Sequence, residues 1–210
     1  HEVTAQDIEG SADFSDYPVL KLAAKANCLD SAVDFSGTYR KERQIFNLKV
    51  SGLDLMNVLP LLPEGTIPDG IEIRGGTVKK AKVAGQYMGS QLSFSGQAEY
   101  EGGSVTVKET PVDDIHGFIS FTDAEALLSA DADSNGQQAH VSGKVRYDTD
   151  APYLDLRVSS GSFDPAKVLS DIPYEGAASF KATVTGPVKD PVVDGDVRVA
   201  SGAANGIPFT

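Results

Sequence analysis

The short stretch DADSNG, at positions 131–136, is the part of this sequence whose spacing comes nearest to a metal-binding motif. Acidic or amide residues recur at every second position and a glycine follows, as at the start of an EF-hand calcium loop. The twelfth position of such a loop supplies a bidentate glutamate, but here that position is Ser142. The flanks alternate in polarity as strands do. The stretch therefore predicts a turn after a strand at 126–130, and no metal site.

Two other places in the sequence could carry a catalytic or metal-binding residue. His116 follows Asp113 and Asp114 closely, but on a strand alternate residues point to opposite faces and divide this cluster. Cys28 is the only cysteine, so it cannot form an internal disulfide, and no base lies near it in sequence. The chain has no Gly-x-Ser-x-Gly elbow and no glycine-rich phosphate loop. We expect no catalytic residue, no cofactor and no enzymatic activity, although carboxylates that meet across strands, as in glycoside hydrolases, stay an open alternative.

The composition narrows the class of protein. The net charge is −12 and no large basic cluster exists, which argues against a nucleic-acid partner. Lys79, Lys80 and Lys82 form the densest basic run, and we interpret them as a solvated strand face. The chain has 21 Gly, 11 Pro and no Trp, a mixture that favours short strands joined by tight turns.

Alternation of apolar and polar residues dominates the chain and predicts an all-β fold of largely antiparallel strands. Only 53–63 and 163–173 break this period, and each predicts a short helix that ends near a proline. An antiparallel sheet with one apolar face must cover that face with a second sheet, by closing, or with a ligand.

The two helix segments belong to a longer internal repeat. The segment 14–40 aligns with 121–146, and 46–52 aligns with 153–161, so the period is about 100–108 residues. We expect one β-repeat segment, with a first unit at about 12–110 and a second at about 111–210. The second unit stops early, which predicts a piece of a longer array.

Glycines fall in the apolar phase of several strands, where they weaken a strand unless a bend, a bulge or a close approach requires them. We expect the sheet to curve at these positions, which are Gly37, Gly85, Gly96, Gly143, Gly186 and Gly195.

The succession of motifs resembles the TamB and wider AsmA-like family. The Ser-Gly strands at 35–40 and 141–146 are followed by the Leu/Val strands and by GPVKDPVVDGDVRVASGAANGIPF at 186–209. The earlier copy, at 85–96, lacks the Asp-Pro. The resemblance implies a β-taco, which is an elongated antiparallel sheet folded into a trough with a hydrophobic groove.

The same resemblance implies a function in diderm bacteria. Members are periplasmic, are anchored in the inner membrane, and are thought to conduct phospholipids to the outer membrane. The expected partners are phospholipid acyl chains, neighbouring repeats of the same chain, and an Omp85-type outer-membrane barrel reached through a region outside this sequence. The alternative is a structural or adhesive β-repeat stalk with a closed core and no lipid.

The residues predicted to line the groove are those in the apolar phase of the strands. They are Leu48, Val50, Leu92, Phe94, Val105, Val107, Val141, Val145, Leu154, Leu156 and Val158.

Overall fold

A computed structural model describes residues 3–62, 67, 69–107, 109–147, 151–164, 174–204 and 207–209 of the 210-residue chain. Thirteen strands account for most of these residues. They are β1 (Ala5–Asp13), β2 (Leu20–Cys28), β3 (Ser31–Arg40), β4 (Arg43–Asp54), β5 (Ile71–Met88), β6 (Gln91–Val107), β7 (Thr110–Thr122), β8 (Glu125–Ser134), β9 (Gln137–Arg146), β10 (Tyr153–Phe163), β11 (Tyr174–Pro187), β12 (Val192–Ala204) and β13 (Ile207–Phe209).

The only helical structure in the described ranges follows β4. Helix α1 (Leu55–Val58) is capped by Asp54, whose side chain accepts a hydrogen bond from the Met56 amide, and a 3-10 turn (Leu59–Leu61) continues it. Neither segment has the length to span a bilayer. The first predicted helix is thus present, and the second, at 163–173, lies mostly outside the described residues.

All thirteen strands form a single antiparallel sheet in chain order, from β1 to β13. Each strand pairs only with the strand before it and the strand after it, and β1 and β13 do not pair with each other. The sheet is therefore open at both of its edges in the described part of the chain. The predicted fold class, an all-β chain in one elongated antiparallel sheet with a short helix, is confirmed.

Little of the sheet is covered. The accessible surface is 14001 Å², whereas a compact monomer of this mass exposes about 9,300 Å². Among the described residues the buried apolar side chains are only Ala126, Ala130 and Ala178, and no large side chain is fully buried. A packed sandwich would bury large side chains between its two layers. The described part of the chain is therefore one layer whose apolar face lacks a second sheet.

Bulges interrupt five of the strands where two neighbouring residues are both exposed. The register shifts beside 7–8 in β1, 79–80 in β5, 101–102 in β6, 113–114 in β7 and 161–162 in β10. An extra residue of this kind bends a strand and reverses its in–out alternation. The bulges in β5, β6 and β7 lie close together across neighbouring strands, so these strands bend at a similar level.

Candidate apolar groove

The strand register places one apolar row across nine strands. Residues that are direct cross-strand partners point to the same face of a sheet, and here the partners run without a break from β3 to β11. The row consists of Phe35, Leu48, Val83, Gly96, Phe121, Ala126, Val145, Leu154 and Gly186.

A second row lies two residues further along each strand and extends to β12. It consists of Val33, Val50, Ala81, Ala98, Ile119, Leu128, Gly143, Leu156, Val184 and Val193. Neither row contains a polar side chain. We call the side of the sheet that carries these rows the apolar face.

The structure places all eleven predicted lining residues on the apolar face. Five belong to the two rows above, and Val141 and Val158 are direct partners in the next row. The other four lie on β6, with Leu92 and Phe94 near one end of the strand and Val105 and Val107 near the other. Nine of the eleven are half-buried, and Leu92 and Val107 are exposed.

The bulge at 101–102 explains how β6 contributes at both of its ends. Strict alternation would put Val105 on the opposite side from Phe94, because the two positions differ by an odd number. The register pairs Tyr100 with Gly117 and Gly103 with Ile115, so the bulge returns Gly103 and Val105 to the apolar face.

The same face carries several large side chains that were not predicted from the sequence. Phe35, Val83, Phe121, Ile119 and Val184 belong to the two rows but were not among the predicted lining residues. Their strands carry the same period-two alternation, so the signal was present. The cross-strand partners that unite them depend on register, which a single sequence does not give.

Aromatic rings occupy the space above some of the glycines. A methyl group added at Gly85 would overlap the ring of Phe46, and one added at Gly96 would lie 2.5 Å from Cζ of Phe121. Phe121 also contacts Phe94 edge-on, with ring centroids 6.4 Å apart. These glycines are therefore places of close approach on the apolar face.

The opposite face of the sheet carries the charged residues of the central strands, together with the exposed apolar side chains of Ile45, Phe118 and Leu127. Asn47, Lys49, Lys82, Gln97 and Ser120 border a shallow depression of about 410 Å³ on it. The Lys79 ammonium lies 2.9 Å from Glu101 and 3.8 Å from Glu99, and the Glu101 hydrogen bond is the main reason that the pKa of Lys79 is raised. The charges of the central strands are therefore held away from the apolar face.

Tyr100 carries the phenol nearest the middle of the apolar face. Burial raises its pKa, and the charge of Asp131 raises it further. The hydroxyl is thus held in the neutral form.

The DADSNG stretch is partly strand and partly turn. β8 continues to Ser134, so the prediction that the strand ends at position 130 was wrong. Asn135 and Gly136 form the turn with φ of 54° and 75°, and the Asp133 carboxylate accepts a hydrogen bond from the Gly136 amide at 2.7 Å. The strand is longer because 131–134 pair with 137–140 of β9.

The acidic residues around the histidines have partners of their own. Asp131 lies 2.9 Å from Nδ1 of His140, and Asp113 forms an ion pair with Arg74 at 2.6 Å. Nδ1 of His116 lies 2.8 Å from the backbone oxygen of Asp114. Within the described ranges no three His, Cys, Asp or Glu side chains are grouped as a metal site requires.

Comparisons with models of protein families, with characterised proteins and with solved structures gave no match.

Proposed function

We propose that this chain is a segment of a hydrophobic-groove protein that holds phospholipid acyl chains and conducts them between membranes. The observation that carries the proposal is the apolar face: two adjoining rows without a polar side chain cross nine or more strands, and no second layer covers them in the described part. Each acyl methylene removed from water contributes about 0.8 kcal/mol, so such a face can hold a chain without recognising its headgroup.

The resemblance to TamB and AsmA-like proteins supports the same proposal. It adds a β-taco arrangement of the sheet, a periplasmic location and transport toward the outer membrane. No catalytic residue is part of the proposal, because a passive conduit needs only a continuous apolar surface. Sliding along that surface exchanges equivalent contacts and therefore needs no chemical step.

Photo-crosslinking tests the proposal directly. A photoreactive amino acid at Leu156, on the apolar face, should form adducts with phospholipid when the chain is expressed in a diderm bacterium. The same amino acid at Arg157, the next residue and on the polar face, is the matched control and should form far fewer adducts. Equal labelling at both positions would contradict the conduit, and an absence of adducts at Leu156 would favour a stalk without lipid.

Charge placed on the apolar face provides a second test. Phe94→Asp and Leu156→Asp should reduce lipid retained in native mass spectrometry, because an ionised carboxylate is expensive to bury beside acyl chains. Ser95→Asp is the matched control on the polar face. Circular dichroism should show that all three variants keep their strands.

A further inference from the structure

The two long sides of the sheet, where the strands turn, differ in composition. The first side, the tyrosine rim, consists of 13–21, 38–43, 86–92, 122–125, 145–147, 151–153 and 185–192. The second side, the acidic rim, consists of 3–7, 28–31, 52–62, 69–74, 104–107, 109–116, 131–140 and 159–164. Both definitions cover only residues that the structure describes.

The tyrosine rim carries five of the seven tyrosines in the chain, and all five are exposed. They are Tyr17, Tyr39, Tyr87, Tyr147 and Tyr153. Tyrosine concentrates where an apolar region meets water, because its ring is apolar and its hydroxyl is wet, and it forms belts at the headgroup level of membranes. The tyrosine rim thus has the composition of a lipid–water boundary.

The two rims also differ in the balance of their acidic and basic side chains. Described acidic side chains of the acidic rim are Asp7, Asp30, Asp54, Asp69, Glu72, Glu109, Asp113, Asp114, Asp131, Asp133 and Asp164, while Arg74 is its one described Lys or Arg. The tyrosine rim balances six acidic residues with six basic ones, which are Lys21, Arg40, Lys41, Arg43, Arg146 and Lys189. An anionic phosphate is therefore repelled from the acidic rim and tolerated or attracted at the tyrosine rim.

The hairpin between β3 and β4 concentrates the positive charge. Arg40 and Arg43 are direct cross-strand partners, a pairing of like charges that costs stability. Arg43 donates to Gln86 at 2.8 Å, and neither arginine forms an ion pair with a described carboxylate. Alternation turns Tyr39 toward the apolar face and both arginines toward the polar face, so the hairpin holds its cationic groups at the edge of the sheet, beside Tyr39.

The apolar face is long enough to take a whole acyl chain along the strands. From Leu92 to Tyr100 the apolar side chains of β6 cover eight residue steps, or about 26 Å. One leaflet of a bilayer has a hydrocarbon depth of about 15 Å. A chain that begins at the tyrosine rim therefore ends on the apolar face before it reaches the acidic rim.

We infer that phospholipids lie in the groove in one orientation, with the phosphate headgroup at the tyrosine rim and the acyl chains directed toward the acidic rim. This inference rests on the proposed function and adds to it a fixed orientation and a preference for anionic headgroups. The selectivity resides in Arg40, Lys41 and Arg43.

Two photoreactive forms of phosphatidylglycerol test the orientation on the full 210-residue chain, one with the reactive group on the headgroup and one with it at the end of an acyl chain. The headgroup probe should label 38–43 and 86–92, and the acyl probe should label the apolar face. If the acyl probe labels the apolar face but the headgroup probe labels the acidic rim, or both rims equally, the proposed orientation is wrong. The proposed function would still hold in that case. If neither probe labels the apolar face, the proposed function fails and the orientation fails with it.

Removal of charge tests the selectivity. The combined variant Arg40→Gln, Lys41→Gln and Arg43→Gln should lower the ratio of retained phosphatidylglycerol to phosphatidylethanolamine about tenfold. The matched control, Lys49→Gln, Lys80→Gln and Lys82→Gln, removes the same charge from the middle of the sheet, away from both rims, and should leave that ratio unchanged. An equal fall in both variants would show that net charge, and not the tyrosine rim, sets the preference.

Discussion

The ring of Phe46 lies over Gly85, its direct cross-strand partner on the neighbouring strand. A glycine in a strand exposes backbone and has no side chain to pack, and an aromatic ring across the strand pair compensates for both. Where β4 and β5 meet on the apolar face, the Phe46 ring occupies the space that a side chain at position 85 would otherwise fill.

Gly85→Ala should therefore destabilise the sheet by about 1–3 kcal/mol, because the added methyl displaces the Phe46 ring. Gly161→Ala is the matched control, since a methyl group there would contact nothing within 4 Å. Urea unfolding followed by circular dichroism measures both. Equal stability of the two variants would show that the ring moves aside at no cost.

Stability at high pH should depend on Tyr100. Its folded pKa is raised above the ordinary 10.0 by burial, so folding favours the protonated phenol. That contribution is complete below pH 10 and is lost as the pH rises through the raised pKa. Tyr100→Phe should lose less stability than the parent protein between about pH 8 and about pH 11, as measured by urea unfolding. Tyr39→Phe, which alters an exposed ring, should follow the parent; identical slopes for all three proteins would contradict the prediction.

Charge reversals on the polar face should have opposite effects at two neighbouring lysines. Lys82 is the direct partner of Lys49, so Lys82→Glu replaces a repulsive pair by an attractive one and should stabilise by about 0.5 kcal/mol. Lys80 is the direct partner of Glu99, so Lys80→Glu should destabilise by a similar amount. Both variants change the net charge equally. Thermal unfolding that shifts in the same direction for both would point to net charge as the cause.

The turn at Asn135 and Gly136 should depend on Asp133 and not on calcium. Asp133→Ala removes the acceptor of the Gly136 amide hydrogen bond and should lower the free energy of unfolding by about 1 kcal/mol. Asp133→Asn keeps an oxygen acceptor, so its free energy of unfolding should stay close to that of the parent protein. Calcium in millimolar excess should leave the melting temperature of the parent protein unchanged. A calcium-dependent rise that Asp133→Ala abolishes would reopen the metal interpretation.

The fold class was predictable because period-two alternation is a local property. Leu154, Leu156 and Val158 alternate with polar residues, and the structure places them together on the apolar face of β10. The turn at Gly136 was predictable for the same reason, since asparagine and glycine tolerate positive φ.

The register and the bulges were not predictable in the same way. The partnership of Phe46 with Gly85 joins residues 39 positions apart, and many registers satisfy the same alternation. The bulge at 101–102 is equally hidden, because an extra residue in β6 becomes visible only against the residues of β7 that it faces. The curvature expected at the apolar-phase glycines stays a prediction, and the bulges are the bends that the register reveals.

Because each strand pairs only with its immediate neighbours in sequence, folding of this sheet can begin at any hairpin and spread in both directions. Hairpin closure joins nearby residues, so it needs little loop-closure entropy and proceeds quickly. A destabilising substitution in one hairpin should then lower the hydrogen-exchange protection of the adjacent strands and leave the protection of distant strands unchanged. The sheet should unfold gradually, beginning at its least stable hairpin, and not in a single cooperative step.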